Sequence, residues 1–416
     1  MRSYVFGSGL ACCLIAGSAL SAESPPDVAV SPLTAPPPSM LSVKEGAYDV
    51  VDLQPLPTTG VDGGAYAISA TGKIAGWVKM PYQGNSVPTV WGANNAPAIL
   101  NTMCGYAGGM VADFGVNDVP IAACTDGTTH VGAQSVPNAL VFGSNGTKYV
   151  GIITHGVGVY HPYTSGAGAP ASLTVPAPFS VAGAWDVNKS GQAAGIAGNP
   201  TDTGPARAVR WSSAGVPTLL PGRSAQNVSA RAFALNDAGV VVGRVGMGKG
   251  QDERAAMWQN DALTEIGSFG GRSGAVDINA SGTVVGWSYD AGGDIHGFIY
   301  KGGKLTDLNL LVDRSIVRNA KGHWVLQQEW IILEALGIND AGVIVGRAVR
   351  DGRPRAVMLK PRQNATVLGA EDLQKLISAI KPTRAVSPAK DAMFVLSEAD
   401  RAKLQVMQPA TASSVR

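Results

Sequence analysis

One short pattern recurs six times along the chain and limits its fold more than any other feature. It reads AISATGKIAGW at 67–77, GVNDVPIAAC at 115–124, DVNKSGQAAGIAG at 186–198, ALNDAGVVVGR at 234–244, DINASGTVVGW at 277–287 and GINDAGVIVGR at 337–347. The shared order is apolar, Asn, any residue, small, Gly, any residue, two apolar or small residues, Gly. Anchored at Ser69, Asn117, Asn188, Asn236, Asn279 and Asn339, the spacings are 48, 71, 48, 43 and 60. A period of about 40–50 residues with insertions marks stacked supersecondary units.

The chemistry of the pattern predicts a hairpin. Asn and Asp bond their own backbone in tight turns, and Gly accepts the positive φ that other residues resist. The β-branched runs that follow, such as Val240-Val241-Val242, suit a strand and are too short for a helix. Calcium binding by these turns is disfavoured, since each offers one or two carboxylates and calcium takes about six to eight oxygens. Asn117, Asn188, Asn236, Asn279 and Asn339 are therefore read as structural turn residues.

Two further strands follow each hairpin. After Val284-Val285-Gly286-Trp287 come His296-Gly297-Phe298-Ile299-Tyr300, a Gly302-Gly303 turn and Lys304-Leu305-Thr306-Asp307-Leu308. The preceding unit repeats this with Ala255-Ala256-Met257-Trp258, an Asn260-Asp261 turn and Leu263-Thr264-Glu265-Ile266. Four short antiparallel strands in 40–50 residues describe a β-propeller blade. The first such strand, Tyr48 to Leu53, matches a fourth strand, and the last unit stops after its third, Arg355 to Leu359. The N-terminal strand is thus expected to complete the final blade and remove two open sheet edges. The expectation is an all-β propeller of six four-stranded blades over 45–361. The 71-residue gap is long enough to hide a seventh.

GINDAGVIVGR followed by RAVMLKP, and DINASGTVVGW followed by HGFIY and LTDLNLL, resemble the HAF-repeat family of extracellular bacterial proteins. The resemblance covers about residues 48–361 and is strongest in the last three units. The name-giving His-Ala-Phe occurs here only as His296-Gly297-Phe298; elsewhere it is Arg207-Ala208-Val209, Ala255-Ala256-Met257 and Arg355-Ala356-Val357. The resemblance implies secretion and a repeated β architecture. It implies no enzymatic activity.

Composition agrees. Charged residues are 15% of 416 and the net charge is +2, which excludes a coiled coil, a disordered chain and a nucleic-acid footprint. Residues 1–22 read as a secretory signal peptide: Arg2, an apolar run from Val5 to Leu20, then Ser21-Ala22. No transmembrane span is expected in the mature chain. Cys12 and Cys13 lie in that leader, and neither fits a lipidation site. Cys104 and Cys124 remain, and an even count in an exported protein points to a disulfide. Residues 23–44 are proline-rich and read as a linker. Residues 362–416 place apolar residues at helical spacing from Glu371 to Ile380 and predict a short helical tail.

Chemistry is harder to place. The five histidines form no His-x-x-x-His pair, there is no Cys-x-x-Cys, and no serine nucleophile elbow occurs in the body. No metal site and no cofactor are expected. The candidate ligand contacts are His155, Tyr160, His161 and Tyr163 in the longest gap, then His323 and Trp324 in the 312–333 insertion. Trp77, Trp211, Trp258 and Trp287 recur beside blade strands and are expected in the inter-blade core. Asp290 and Asp294 are carboxylates that could pair for acid–base work if the fold brings them together. Three functions fit: a binding or scaffold module for a glycan, small molecule or envelope protein; a hydrolase or lyase acting on an extracellular or envelope polymer; or an adhesive component displayed through its tail.

Overall fold

The computed structural model describes residues 41–363, apart from 44–45, 54–61, 80–85, 93, 106–107, 155–159, 166–170, 200–205, 224–227, 248–252 and 319–323. The expected leader and tail lie outside the described residues, as does most of the expected linker.

Seven four-stranded antiparallel sheets follow one another along the chain. Blade 1 holds Gly63–Ile68, Ile74–Lys79, Ser86–Trp91 and Pro97–Ile99. Blade 2 holds Gly109–Phe114, Pro120–Cys124, Thr129–Val131 and Gln134–Val136. Blade 3 holds Ala139–Ser144, Tyr149–Thr154, Tyr160–Ser165 and Ala171–Ser172. Blade 4 holds Val181–Val187, Ala193–Gly198, Arg207–Trp211 and Pro217–Leu219. Blade 5 holds Val228–Leu235, Val241–Met247, Arg254–Gln259 and Ala262–Gly267. Blade 6 holds Gly270–Ile278, Val284–Asp290, Ile295–Lys301 and Lys304–Asp307. Blade 7 holds Ile331–Ile338, Ile344–Arg350 and Arg353–Pro361. Its fourth strand is the N-terminal Tyr48–Asp52, paired Tyr48 to Pro361 and Val50 to Leu359.

The first strand of each blade contacts the first strand of the next, and blade 7 contacts blade 1, so the ring closes as a β-propeller. The architecture and the N-terminal clasp match the expectation. The blade count does not, because the 71-residue gap contains a whole blade. Its turn, Ser144-Asn145-Gly146-Thr147-Lys148, is one residue shorter than the others, with Asn145 N bonded to the Lys148 carbonyl rather than four residues on. Leu41–Val43, expected as linker, instead form a strand against Arg314–Arg318, which pairs in turn with Trp324–Gln328.

The repeated residues have defined tasks. Turn glycines such as Gly239 (φ 76°) and Gly282 (φ 79°) occupy the left-handed region. Every innermost strand carries a β-bulge opposite the second strand, which brings the two backbones close. The second-strand glycine follows from this: a Cβ on Gly243 would lie 1.9 Å from the Arg231 carbonyl oxygen. The core lies between blades rather than within a central mass. Ala194 and Ala208 of blade 4, for example, pack against Ala230, Ala232 and Val241 of blade 5. Trp211 and Trp258 are fully buried there, and their indole N–H groups donate to the carbonyls of Thr174 and Pro221 at 2.7 and 2.8 Å. Cutting either to alanine costs about 3–5 kcal/mol. The Cys104–Cys124 disulfide is present and ties a short helical turn, Asn101–Cys104, to blade 2.

Candidate functional site

The two ends of the ring differ. At one end lie the Asn turns, which stitch blade to blade. Asn145 Nδ2 donates to the Asn188 carbonyl, Asn188 to Asn236, Asn236 to Asn279 and Asn279 to Asn339, at 2.8–3.2 Å. Each Asn from 188 onward also accepts from the amide four residues on, closing its own turn. Four of the five predicted turn residues therefore hold the ring together. Asn117 does not. It is exposed at φ 57°, and Gly115 closes the blade 2 turn by bonding the Val119 carbonyl.

Three aspartates reinforce the interior, and the sequence reading missed them. Asp113, Asp186 and Asp277 stand two residues before the turn residue on the innermost strands of blades 2, 4 and 6. Each accepts the next residue's amide, from Phe114, Val187 or Ile278. Each also accepts an amide of the following blade, from Ser144, Leu235 or Ile338, at 2.6–2.9 Å. Burial pushes Asp186 up to about 6 and Asp277 up to about 7, with the charge of Asp237 adding to the first and those of Asp186 and Asp340 to the second. Burial, then the charge of Asp186, raises Asp113 well above the usual range. Both oxygens of each carboxylate are engaged, so these are clasps rather than reactive groups.

Charged and aromatic side chains collect toward the opposite end, where the second strands finish and the third begin. At the junction of blades 5 and 6, Glu253 is buried under three guanidiniums: Arg231 at 2.7 Å, Arg272 at 2.7 Å and Arg244 at 3.2 Å. Burial pushes the Glu253 carboxyl up, but the three arginines outweigh it and hold it below the ordinary glutamate range. Arg244 lies 5.4 Å from the Phe233 ring centroid and 6.0 Å from that of Trp287, within cation–π range. Trp287 folds over its own inner strand because Gly274 opposite has no side chain; a Cβ there would meet the indole at 3.0 Å.

The junction of blades 7 and 1 repeats this frame. Arg347 lies 5.8 Å from the Trp77 ring, and Trp77 folds over Gly64. Its charges are reversed, with Glu334 at 3.3 Å and Asp62 at 3.5 Å from the one guanidinium.

Blade 6 holds a third polar group at this end. His296 Nδ1 faces Asp307 at 2.7 Å, and its Nε2 lies 3.9 Å from Asp290. The hydrogen bond to Asp307 raises the imidazole pKa above its ordinary value, helped by the charges of Asp307, Asp290 and Asp294. Asp290 and Asp294 are joined instead within one turn, where the Asp290 amide donates to the Asp294 carbonyl and the Asp294 amide donates to Asp290 Oδ1.

The predicted ligand residues fall elsewhere. Tyr160, His161 and Tyr163 lie on the third strand of blade 3, with His161 opposite Ile153 and Tyr163 opposite Gly151. Trp324 lies on the extra hairpin, opposite Arg318. His155 and His323 are outside the described residues. Of the four tryptophans expected in the core, Trp77, Trp211 and Trp258 are buried, while Trp287 keeps part of its surface exposed. Among the described residues no group of three metal-ligating side chains occurs, and no helix is long and apolar enough to cross a membrane.

No family model matches the chain, and no characterised protein matches it in sequence. Among solved structures it is similar to TolB from Acinetobacter baumannii, with 11% identity, TM-score 0.37, and 61% of this chain and 65% of that one covered. It thus spans just under two thirds of TolB. It is also similar to virginiamycin B lyase from Staphylococcus aureus, with 11% identity, TM-score 0.32, and 75% and 99% covered. A third similarity is to the β-propeller domain of the trilobed protease from Pyrococcus furiosus, with 8% identity, TM-score 0.32, and 76% and 97% covered.

Proposed function

We propose that this chain is an exported HAF-repeat propeller that binds a glycan, small molecule or envelope protein on the face opposite its Asn turns. The observation that carries the reading is the Arg244–Trp287 junction on that face, where Trp287 keeps part of its surface exposed; the Arg347–Trp77 junction is buried and its guanidinium is already paired with Glu334 and Asp62. A guanidinium beside an indole offers a flat apolar surface and charged donors together, which suits polar ligands with an apolar face. Export is supported by the apolar leader and by the Cys104–Cys124 disulfide, which an oxidising compartment maintains.

The test is the melting temperature of the purified protein against glycans, peptidoglycan fragments, nucleotides and divalent metals, with a chelator control. A ligand of the native state adds about 2.7 kcal/mol at a hundredfold excess over Kd. The shift should vanish in Trp287→Ala and survive in Lys189→Ala, which alters the Asn-turn face. The opposite pattern would place binding at the wrong end and overturn the reading.

One observation favours a second reading, a hydrolase or lyase acting on an extracellular polymer. His296 stands between Asp307 and Asp290, an arrangement that can hold and release a proton. Release of soluble fragments from such a polymer, lost in His296→Gln with binding intact, would establish it.

A further inference from the structure

The two Arg–Trp junctions are built on one frame, and strand register aligns them residue by residue. Gly274 pairs with Trp287 as Gly64 pairs with Trp77. Two residues before those glycines stand Arg272 in one junction and Asp62 in the other. Arg231 pairs with Arg244 as Glu334 pairs with Arg347. Both positions that supply a carboxylate to Arg347 therefore supply a guanidinium beside Arg244.

This reversal is costly. Like charges directly opposite on paired strands repel, and Arg231 and Arg244 are each less than a tenth exposed. Glu253 draws the three guanidiniums together, yet it engages Arg244 only through Nη1. Arg244 Nε and Nη2 are buried with no acceptor among the described residues. Those two N–H groups point to the same side of the guanidinium and form the fork that grips two oxygens at once. In the sister junction, Asp62 bonds Nη2 of Arg347.

Resting on the binding reading above, we infer that the junction of blades 5 and 6 is an oxyanion subsite, in which the buried, acceptor-free Nε/Nη2 edge of Arg244 holds a carboxylate or phosphate of the ligand. Phe233 and Trp287 lie beside the guanidinium, which is 5.4 and 6.0 Å from their ring centroids, while Arg231 and Arg272 add to the positive field.

The probes are sodium glucuronate, glucose, acetate, inorganic phosphate and sulfate, titrated calorimetrically into the purified protein at constant ionic strength. Saturable binding of glucuronate or phosphate, with none of glucose, is expected. Glucuronate and acetate binding without phosphate assigns a carboxylate ligand; phosphate and sulfate binding alone assigns a tetrahedral one. Arg244→Lys keeps the charge but loses the fork and should weaken binding roughly tenfold or more, the loss of one charge-assisted hydrogen bond. Arg347→Lys should leave anion binding unchanged.

Arg272→Asp gives a second test that does not depend on removing Arg244. It places at 272 the residue type that serves Arg347, so it should abolish anion binding and raise the melting temperature without ligand. No saturable anion binding, equal binding in Arg244→Lys, or equal loss in Arg347→Lys would each overturn the subsite. A glycan shift that ignores all these changes would overturn it while leaving the binding reading in place.

Discussion

The side-chain amide of Asn188 donates to the backbone carbonyl of Asn236, 3.1 Å away in the next blade. The repeated asparagine thus has two tasks, closing its own hairpin and tying that hairpin to its neighbour. The second explains why Asn recurs where Asp or Ser would close the turn equally well: a carboxylate cannot donate, a serine hydroxyl must do both through one atom, and the amide carries acceptor and donor on separate atoms.

Asn236→Ala should be clearly destabilising. It removes the acceptor of the Val240 amide and the donor to the Asn279 carbonyl, both within a buried turn. The expected cost is about 2–3 kcal/mol, from two buried backbone groups left unpaired. Asn117→Gly should change stability by no more than about 0.5 kcal/mol, since Asn117 is exposed and its left-handed φ suits glycine. Melting temperatures of the two variants check this. Equal losses would mean that the circumferential bonds contribute nothing.

The disulfide joins residues 20 apart, which in the chain-entropy model stabilises by about 3 kcal/mol. Cys104→Ser with Cys124→Ser should lower the melting temperature, and dithiothreitol should reproduce the drop in the parent. Reductant should leave the double variant unaffected. A parent insensitive to reductant under unfolding conditions would show that the bond does not form in solution.

Gly243→Ala tests why the second strand needs glycine. The added Cβ would fall 1.9 Å from the Arg231 carbonyl oxygen, so backbone must move at the bulge. A loss of about 1–3 kcal/mol is expected, as for other overpacked cores. Blade 2 carries Ala122 at the equivalent position, opposite Val111, which shows that a blade can be built around the methyl when its strands are spaced for it. A neutral Gly243→Ala would mean that blade 5 shares that slack.

Much of this was legible because the repeat is written in turn and strand chemistry. The hairpins, the four-strand unit and the Tyr48–Asp52 clasp follow from local patterns that tertiary packing did not override. Blade 3 escaped because its turn is shortened, although Asn145-Gly146 followed by Val150-Gly151 carries the same signal. Blade 2 was read two residues out of register because Asn117-Asp118 resembles the repeat, while Gly115 occupies its place. The clustered arginines were hidden for a different reason. Arg231, Arg244, Glu253 and Arg272 are spread over 42 residues and meet only when two blades pack side by side. The trace they leave is the residue after the second-strand glycine, Arg in blades 5 and 7 and Trp in blades 1 and 6. It reads as variation until the ring shows that each Arg faces the Trp of the next blade.

Stability should fall as pH rises from about 5 to about 8. Asp186 and Asp277 titrate from 3.8 in the unfolded chain to about 6 and about 7 in the native ring, and Asp113 is raised as well. The native state therefore holds more protons than the unfolded state between pH 4 and 7, and stability declines with pH across that window. His296 acts in the same direction: its raised pKa contributes below about 6.5, and that contribution is lost as pH passes its folded value. Glu253 acts in the opposite direction, but only in acid, where its depressed pKa makes stability fall as the carboxylate is protonated. The melting temperature should thus be higher at pH 5 than at pH 8, with Glu253 opposing the trend only in more acid solution. Asp277→Asn removes one of the raised groups and should flatten the decline between pH 5 and 7, while His296→Gln should flatten the decline above pH 6.5. The opposite result, a melting temperature that rises from pH 5 to 8, would show that the two amides on each aspartate outweigh burial and keep the three clasps ionised.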